Sequence, residues 1–516
     1  MSLVRSSATV GFYSLLSRAL GFIRDITIAA GIGAGFLSDA FFVAFKVPNF
    51  LRRLFAEGAF SVSFVPMFAG MLAVDGKEKA HGFASDVMSF LLMALLVVAG
   101  LFIAAMPWLM YLLAPGFAVD PDKFELTILL TRITMPYIVF ISLVSLLAGV
   151  LNSLDKFAAV AATPILMNLC LITVPWLIQD ITPTMAHGLA ISVFMAGLVQ
   201  WLWLVWFCRR QGMLPRLVKP RLTPQVKRLL IIMAPAALGA GVAQINLFVD
   251  VIIASQFESG VSYLYYADRI NGLPLAVIGV AVGTALLPML SRQVREGKAE
   301  IANHSHHRAI ELAMFLTIPS AFGIFIMSEA VVRVMFLRGE FTLVDMVETG
   351  KVLRAFALGL PAFVLIKVLV PGYFARQDTK TPFKIATVCV VINIVVSLML
   401  MEQYKYVGMA IATTTSAWVN VLMLAIGLHR HKWLEFPKRL HKESAKILTG
   451  CVLMGAVVMT LQPYVQAYLL QDGEAVRILA LIVWVLAGVA TYFAMAFVTD
   501  SIDIRARARK RRLPVP

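Results

Sequence analysis

Val87-Met-Ser-Phe-Leu-Leu-Met-Ala-Leu-Leu-Val-Val-Ala-Gly-Leu-Phe-Ile-Ala-Ala-Met-Pro-Trp-Leu-Met-Tyr-Leu-Leu-Ala-Pro-Gly-Phe-Ala-Val119 runs without a single Asp, Glu, Lys or Arg. About 20 such residues carry a helix across a bilayer. Phe157–Gln179, Ile181–Cys208 and Ile478–Thr499 are equally free of charge. Hydrophobic residues make up 60% of the 516 and charged residues 14%, where a soluble domain carries about 25% charge. Outer-membrane barrels alternate apolar and polar residues along each strand, which these continuous runs exclude. The fold class is an all-α polytopic membrane protein. Met1–Val10 holds one Arg and no small-residue cleavage site, so the first span is expected to be retained. Cys170, Cys208, Cys389 and Cys451 lie in or at the ends of apolar runs without metal-ligand spacing and read as small hydrophobes.

On the bilayer scale the chain reads as fourteen spans, centred near residues 18, 50, 98, 138, 168, 195, 240, 276, 318, 360, 393, 417, 458 and 488. Alternate loops differ sharply in charge. Arg209–Arg228 holds seven Lys/Arg, Ser291–Arg308 four, Arg376–Lys384 three and His429–Lys446 six. Val119–Glu125 has one Lys beside three acids, and Gln179–His187 and Gln256–Ser262 have no Lys or Arg. The positive-inside rule then places both termini in the cytoplasm, as an even span count requires. The net charge of +16 is thereby absorbed by loops. The tail Arg505–Arg512 reads as a topogenic contact to anionic phospholipids and not as a nucleic-acid site; the loop Asn303–Arg308 reads as solvated histidines.

The chain also repeats itself at a spacing of 222–225 residues. Phe64-Val-Pro-Met-Phe68 answers Leu286-Leu-Pro-Met-Leu290, Met110-Tyr-Leu answers Met335-Phe-Leu, Pro136 answers Pro361 and Asp155 answers Asp378. Two six-span lobes follow, residues 1–222 and 223–440, with a helix pair at 441–500 and a basic tail at 501–516. An even number of spans per lobe makes the repeats parallel, an arrangement of transporters that rock two halves around a central site.

Charges interrupt the first sixty residues: Arg18, Arg24 and Asp25 in the first span, Asp39, Lys46, Arg52, Arg53 and Glu57 in the second. Each costs roughly 2.5–3.5 kcal/mol at the centre of a membrane helix, so such groups face an interior or a wet cavity. Seven residues return to nearly one helix face, which puts Asp39, Lys46 and Arg53 on one stripe. Pro48 kinks that span, its freed carbonyls satisfied by neighbours. The second half contributes fewer charges: Asp250, Asp268, Arg269 and Lys367. Guanidinium forks match phosphate oxygens and stay charged when buried, so the surplus of Arg points to a phosphate or diphosphate. Arg24 and Arg269 show no exclusive acidic partner. Adjacent residues point about 100° apart on a helix, so Asp268 and Arg269 are expected to reach different helices.

Arg18-Ala-Leu-Gly-Phe-Ile-Arg-Asp25, the run from Ser38 to Ser61 with Phe50-Leu-Arg-Arg-Leu-Phe-Ala-Glu-Gly58, Ala114-Pro-Gly-Phe117, Tyr265-Tyr-Ala-Asp-Arg269 and Pro371-Gly-Tyr-Phe-Ala-Arg-Gln-Asp378 resemble the MurJ (MviN) family over essentially the whole chain. That family is one of lipid II flippases of the bacterial inner membrane, within the multidrug/oligosaccharidyl-lipid/polysaccharide exporter superfamily. The resemblance implies a monomer without an enzymatic step or a cofactor. It implies that Arg18, Arg24, Arg52, Arg53 and Arg269 contact the diphosphate-sugar head group of lipid II. Asp39 takes a gating or coupling role, with Asp25, Glu57 and Asp268 grouped beside it, and the last two helices form a groove for the polyprenyl tail. Membrane potential or sodium is the energy source, with Asp250, Asn393 and Thr414 as candidate sodium ligands. A drug antiporter of the same superfamily would favour acids over Arg. A polyprenyl-diphosphate enzyme would need clustered acids, and no Asp-Asp-x-x-Asp pattern occurs.

Overall fold

The computed structural model describes residues 3–53, 60–435, 438–471 and 473–501. Glu57 and the Arg505–Arg512 tail lie outside them. Seventeen α-helices succeed one another without a strand among the described residues: α1 Leu3–Ile32, α2 Phe36–Leu51, α3 Ser61–Val74, α4 Gly76–Leu113, α5 Pro121–Thr134, α6 Tyr137–Ser153, α7 Phe157–Ala161, α8 Thr163–Leu177, α9 Met185–Arg210, α10 Pro224–Ala254, α11 Gly260–Pro274, α12 Val280–Arg295, α13 Ala299–Phe336, α14 Leu343–Phe374, α15 Lys380–Arg430, α16 Lys438–Leu469 and α17 Glu474–Val498.

Local chemistry sets these limits. Pro121 and Pro224 open α5 and α10, where a missing N–H costs nothing. The Asp120 carboxylate accepts from Lys123 N at 3.2 Å, and Thr342 and Asp345 form a capping box on α14. Nine helical stretches among the described residues are long and apolar enough to cross a membrane. One of them, α15, has 51 residues. At 1.5 Å per residue that is about 76 Å, twice a bilayer. Lys405, at φ 48° and ψ −134°, breaks it into two passes. α2, at 16 residues, is too short for that set, and the architecture accommodates fourteen spans.

The prolines behave as membrane burial demands. Pro48 removes the donor for the Ala44 carbonyl, and Thr134 Oγ1 on α5 supplies one at 3.0 Å. Pro107 does the same to Ile103, whose carbonyl accepts from Arg132 Nε at 3.1 Å.

The internal repeat is written in the turns. After α6, Lys156 N donates to Leu151 O at 2.9 Å and Asp155 N to Asn152 O at 3.1 Å, with Asp155 at φ 59°. After α14, Asp378 N donates to Tyr373 O at 3.1 Å and Gln377 N to Phe374 O at 2.9 Å, with Gln377 at φ 63°. These are Schellman turns. Their register pairs Asp155 with Gln377, one residue away from the Asp155–Asp378 match suggested by identity. The same turn ends α9 at Gly212 (φ 65°) and α15 at Lys432 (φ 57°). A π-helical turn marks Arg52–Arg53 and another Leu275–Gly279. The repeat is imperfect: Pro136 separates α5 from α6, whereas Pro361 lies within α14.

The chain divides into two compact units, one of residues 1–262 with 338–341 and one of residues 263–337 with 342–516. The first is filled by aromatics: Phe60, Phe68 and Phe83 stack on Phe64 at 5.0, 5.5 and 5.7 Å between ring centres, and Gly149 lets α6 approach Phe64. In the second, α16 and α17 pack on α13, where Tyr492 donates to the Phe315 carbonyl at 2.8 Å and Trp484 to the Val458 carbonyl at 2.9 Å. Lipid offers no hydrophobic driving force between helices, so close packing and such bonds hold them together.

Candidate functional site

Among the described residues of the first unit, buried and nearly buried ion pairs form at Asp39–Lys123 and at Arg24–Asp25. The deeper one centres on Asp39, the fourth residue of α2 and 0% exposed. Its Oδ2 receives Lys123 Nζ at 2.8 Å; its Oδ1 receives Ser262 N at 2.9 Å and Ser262 Oγ at 2.6 Å. Ser262 gives its one hydroxyl proton to Asp39, so Ser38, 2.8 Å away, supplies the proton between the two serines. Lys123 Nζ also lies 4.4 Å from the Phe117 ring, a cation–π contact. Neighbouring bonds draw further loops to the same end of the unit: Ser259 Oγ to Ala34 O at 3.2 Å, Gly116 N to Ser255 Oγ at 3.1 Å and Glu340 N to Ala30 O at 3.0 Å. A Cβ on Gly116 or Gly339 would collide with the backbone of Ser255 or Ala30, so the segments close only with glycine there. The cluster is a closed polar network, with one charge of each sign and three donors on a single carboxylate.

The second pair is on α1. Arg24 Nε and Nη2 donate to Asp25 Oδ1 at 3.0 and 2.7 Å, while Nη1 donates to Asn168 Oδ1 at 3.0 Å. Asn168 in turn donates to the Ser17 carbonyl at 2.9 Å, and Gly21 keeps α1 close to it, a Cβ there lying 3.6 Å from Asn168 Nδ2. Arg24 therefore has an acidic partner next to it in sequence, where no partner exclusive to it was expected, and it shares its donors between Asp25 and Asn168. A long guanidinium stem overcomes the 100° between adjacent residues. The pair is nearly buried, and the flanking Asn fixes the plane of the fork.

The remaining candidates are spread out. Arg18 and Arg53 are exposed, and Lys46 is half-buried. The stripe that begins on α2 thus grades from a sealed end at Asp39 to an open end at Arg53, just past the helix. Arg52 donates to Asn49 Oδ1 at 3.2 Å. In the second unit Asp268 is exposed, and Arg269 stacks 4.6 Å over Tyr265. Asp250 belongs to the first unit, Asn393 and Thr414 to the second. Thr414 donates to the Ala355 carbonyl at 2.8 Å, and it is Thr413 that approaches Asn393 Oδ1, at 3.5 Å. Among the described residues no three His, Cys, Asp or Glu gather as a metal site.

Sequence reasoning counted Lys123 only as a loop charge. It occupies the N3 position of α5, where a cation opposes the helix dipole; that misplacement was the signal. The second unit carries a counterpart: Asp345, N3 of α14, accepts from Tyr263 Oη, the fourth residue of α11, at 3.0 Å and from Thr342 N at 2.9 Å.

A family model described as "Lipid II flippase MurJ" matches residues 28–494. A protein of Rhizobium tropici described as "Probable lipid II flippase MurJ" is 39% identical over 526 residues, covering 100% of this chain and 98% of its own. One of Rhizobium meliloti (strain 1021) with the same description is 40% identical over 503 residues, covering 96% and 94%. A solved structure titled "Lipid II flippase MurJ, inward closed conformation" superposes with a TM-score of 0.79 at 26% identity, covering 95% of this chain and 98% of that one. An inward-facing multidrug resistance MATE family transporter of the MOP superfamily reaches 0.66 at 15% identity, covering 81% and 95%, a likeness of fold alone.

Proposed function

The chain belongs to the MurJ family of lipid II flippases, and from that premise we propose that it carries lipid II from the cytoplasmic to the periplasmic leaflet of the bacterial inner membrane. It is a transporter, not an enzyme. A disaccharide-pentapeptide on a diphosphate cannot cross hydrocarbon unaided, because each buried polar group without a partner costs several kcal/mol. A hydrated, cationic passage removes that barrier, and rocking of two lobes, residues 1–222 and 223–440, exposes it to each side in turn.

The observation that carries this reading is the contrast between the two charged places of the first unit. Asp39 is sealed and fully bonded, as a lock should be. Arg24 is held in a fixed plane by Asp25 and Asn168 yet presents a guanidinium suited to phosphate, with Arg18, Arg52, Arg53 and Arg269 as further head-group contacts. Asp25, Glu57 and Asp268 balance these cations. In this scheme both termini are cytoplasmic, the lock closes the periplasmic end, and its release opens that end. Helices α16 and α17 guide the polyprenyl tail. The basic tail at 501–516 touches anionic lipid, and the chain works as a monomer. An inside-negative potential drives an outward-moving anion in the useful direction, at about 2.3 kcal/mol per charge per 100 mV; sodium at Asp250, Asn393 and Thr414 is the alternative source.

The test is depletion of the protein in living cells with a probe for externally accessible lipid II. Loss of accessible lipid II while total lipid II rises is expected. A chemically altered product would instead mark an enzyme.

A further inference from the structure

Between α4 and α5 of the first unit lies an open groove of about 770 Å³ whose lining includes Pro107, Tyr111, Asp122, Glu125, Leu129 and Arg132. Its surroundings are apolar and exposed: Trp108 is 73% exposed, Tyr111 59% and Leu101 64%, so this face meets lipid. Trp and Tyr gather at the head-group level of a membrane. Ile103, whose carbonyl holds Arg132 Nε, sits eight residues along α4 from Tyr111, or about 12 Å deeper. Arg132 thus lies exposed at hydrocarbon depth and forms no ion pair with a described residue. A cation so placed is expensive unless an anion joins it. Asp122 and Glu125, on the same stripe of α5 three and seven residues apart from their successors, stand exposed nearer the surface.

We propose that this groove binds one ethanolamine phospholipid, its phosphate on Arg132, its ammonium on Glu125 and Asp122, and its acyl chains along the apolar face of α4. The order of charge along the membrane normal carries the assignment. In such a lipid the ammonium is outermost and the phosphate next; in the groove the carboxylates are outermost and the guanidinium next. Phosphatidylglycerol would offer the two carboxylates only neutral hydroxyl donors, which bond them more weakly than an ammonium does.

Native mass spectrometry of the full-length protein tests this, after exposure to vesicles of phosphatidylethanolamine and phosphatidylglycerol in equal amounts. One phosphatidylethanolamine is expected to be retained, with a preference of about fivefold, the equivalent of roughly 1 kcal/mol. Arg132→Gln should lower its retention by a similar factor. Joint replacement Asp122→Asn and Glu125→Gln should erase the preference while leaving phospholipid bound. Equal retention of both lipids by the unaltered protein, or a preference for phosphatidylglycerol, overturns the proposal. So does phosphatidylethanolamine retention unchanged in Arg132→Gln, or a preference unchanged in the carboxylate variant. Should Arg132→Gln fail to fold by thermal melting, the carboxylate variant decides alone.

Discussion

Replacing Lys123 with Met isolates the lock. The side chains are of similar length, so the change removes a charge and three donors and little volume. Asp39, at 0% exposure, would keep only the two bonds from Ser262, at 2.6 and 2.9 Å. Removing one partner of a buried ion pair costs about 3–5 kcal/mol, because the remaining charge is left uncompensated. If that cost falls on the locked state alone, its population relative to the open state drops by a factor of roughly 10² to 4 × 10³, at tenfold per 1.4 kcal/mol. A second change, Asp39→Asn, removes the stranded charge, so the double variant should recover a large part of the loss. The assay is labelling of a cysteine at Ala29, which is 0% exposed beside the lock, together with growth and membrane abundance. Lys123→Met should raise labelling from outside the cell and impair growth. Labelling and growth unchanged in that variant, or strictly additive effects in the double variant, would refute the reasoning.

Other outcomes follow from the same contacts. Arg24→Lys should abolish complementation at normal membrane abundance, since a point charge cannot span Asp25 and Asn168 as the guanidinium fork does; full growth would remove Arg24 from the site. Tyr263→Phe, which leaves buried Asp345 short of a donor, should lower stability by about 1–3 kcal/mol in thermal melts, and an unchanged melt would reduce the bond to ornament. Asp378, in the turn between α14 and α15, is held below the usual carboxylate range first by the Thr381 N–H and side chain and then by the Lys380 N–H. Its charged form is favoured by folding, so its stabilisation is present above the unfolded value of about 3.9 and is lost as pH falls through the folded one. The melting difference between the unaltered protein and Asp378→Asn should therefore be full at neutral pH and vanish in acid.

The helical membrane fold was legible because charge-free runs such as Val87–Val119 have few alternatives. The repeat was legible in outline through Pro66 and Pro288, while its register at Asp155 needed turn geometry, since identity of side chains and identity of backbone role differ there by one residue. The role of Pro48 was foreseen as a class, a carbonyl satisfied by a neighbour, but nothing local names Thr134 as that neighbour. The same holds at the site. Asp39 stood out as an acid inside membrane-grade apolar sequence. Lys123, 84 residues away and flanked by three acids, looked like a solvated loop charge. The Arg24–Asp25 pair was missed because a periodicity argument treats side chains as rigid spokes.

The claim that this chain itself moves lipid II is tested most directly by purified protein reconstituted into vesicles, measuring how fast lipid II placed on one leaflet becomes accessible on the other. The unaltered protein should raise that rate well above protein-free vesicles, and Arg24→Ala should return it to the protein-free value with the lipid chemically intact. A rate equal to that of protein-free vesicles from folded, unaltered protein would contradict it.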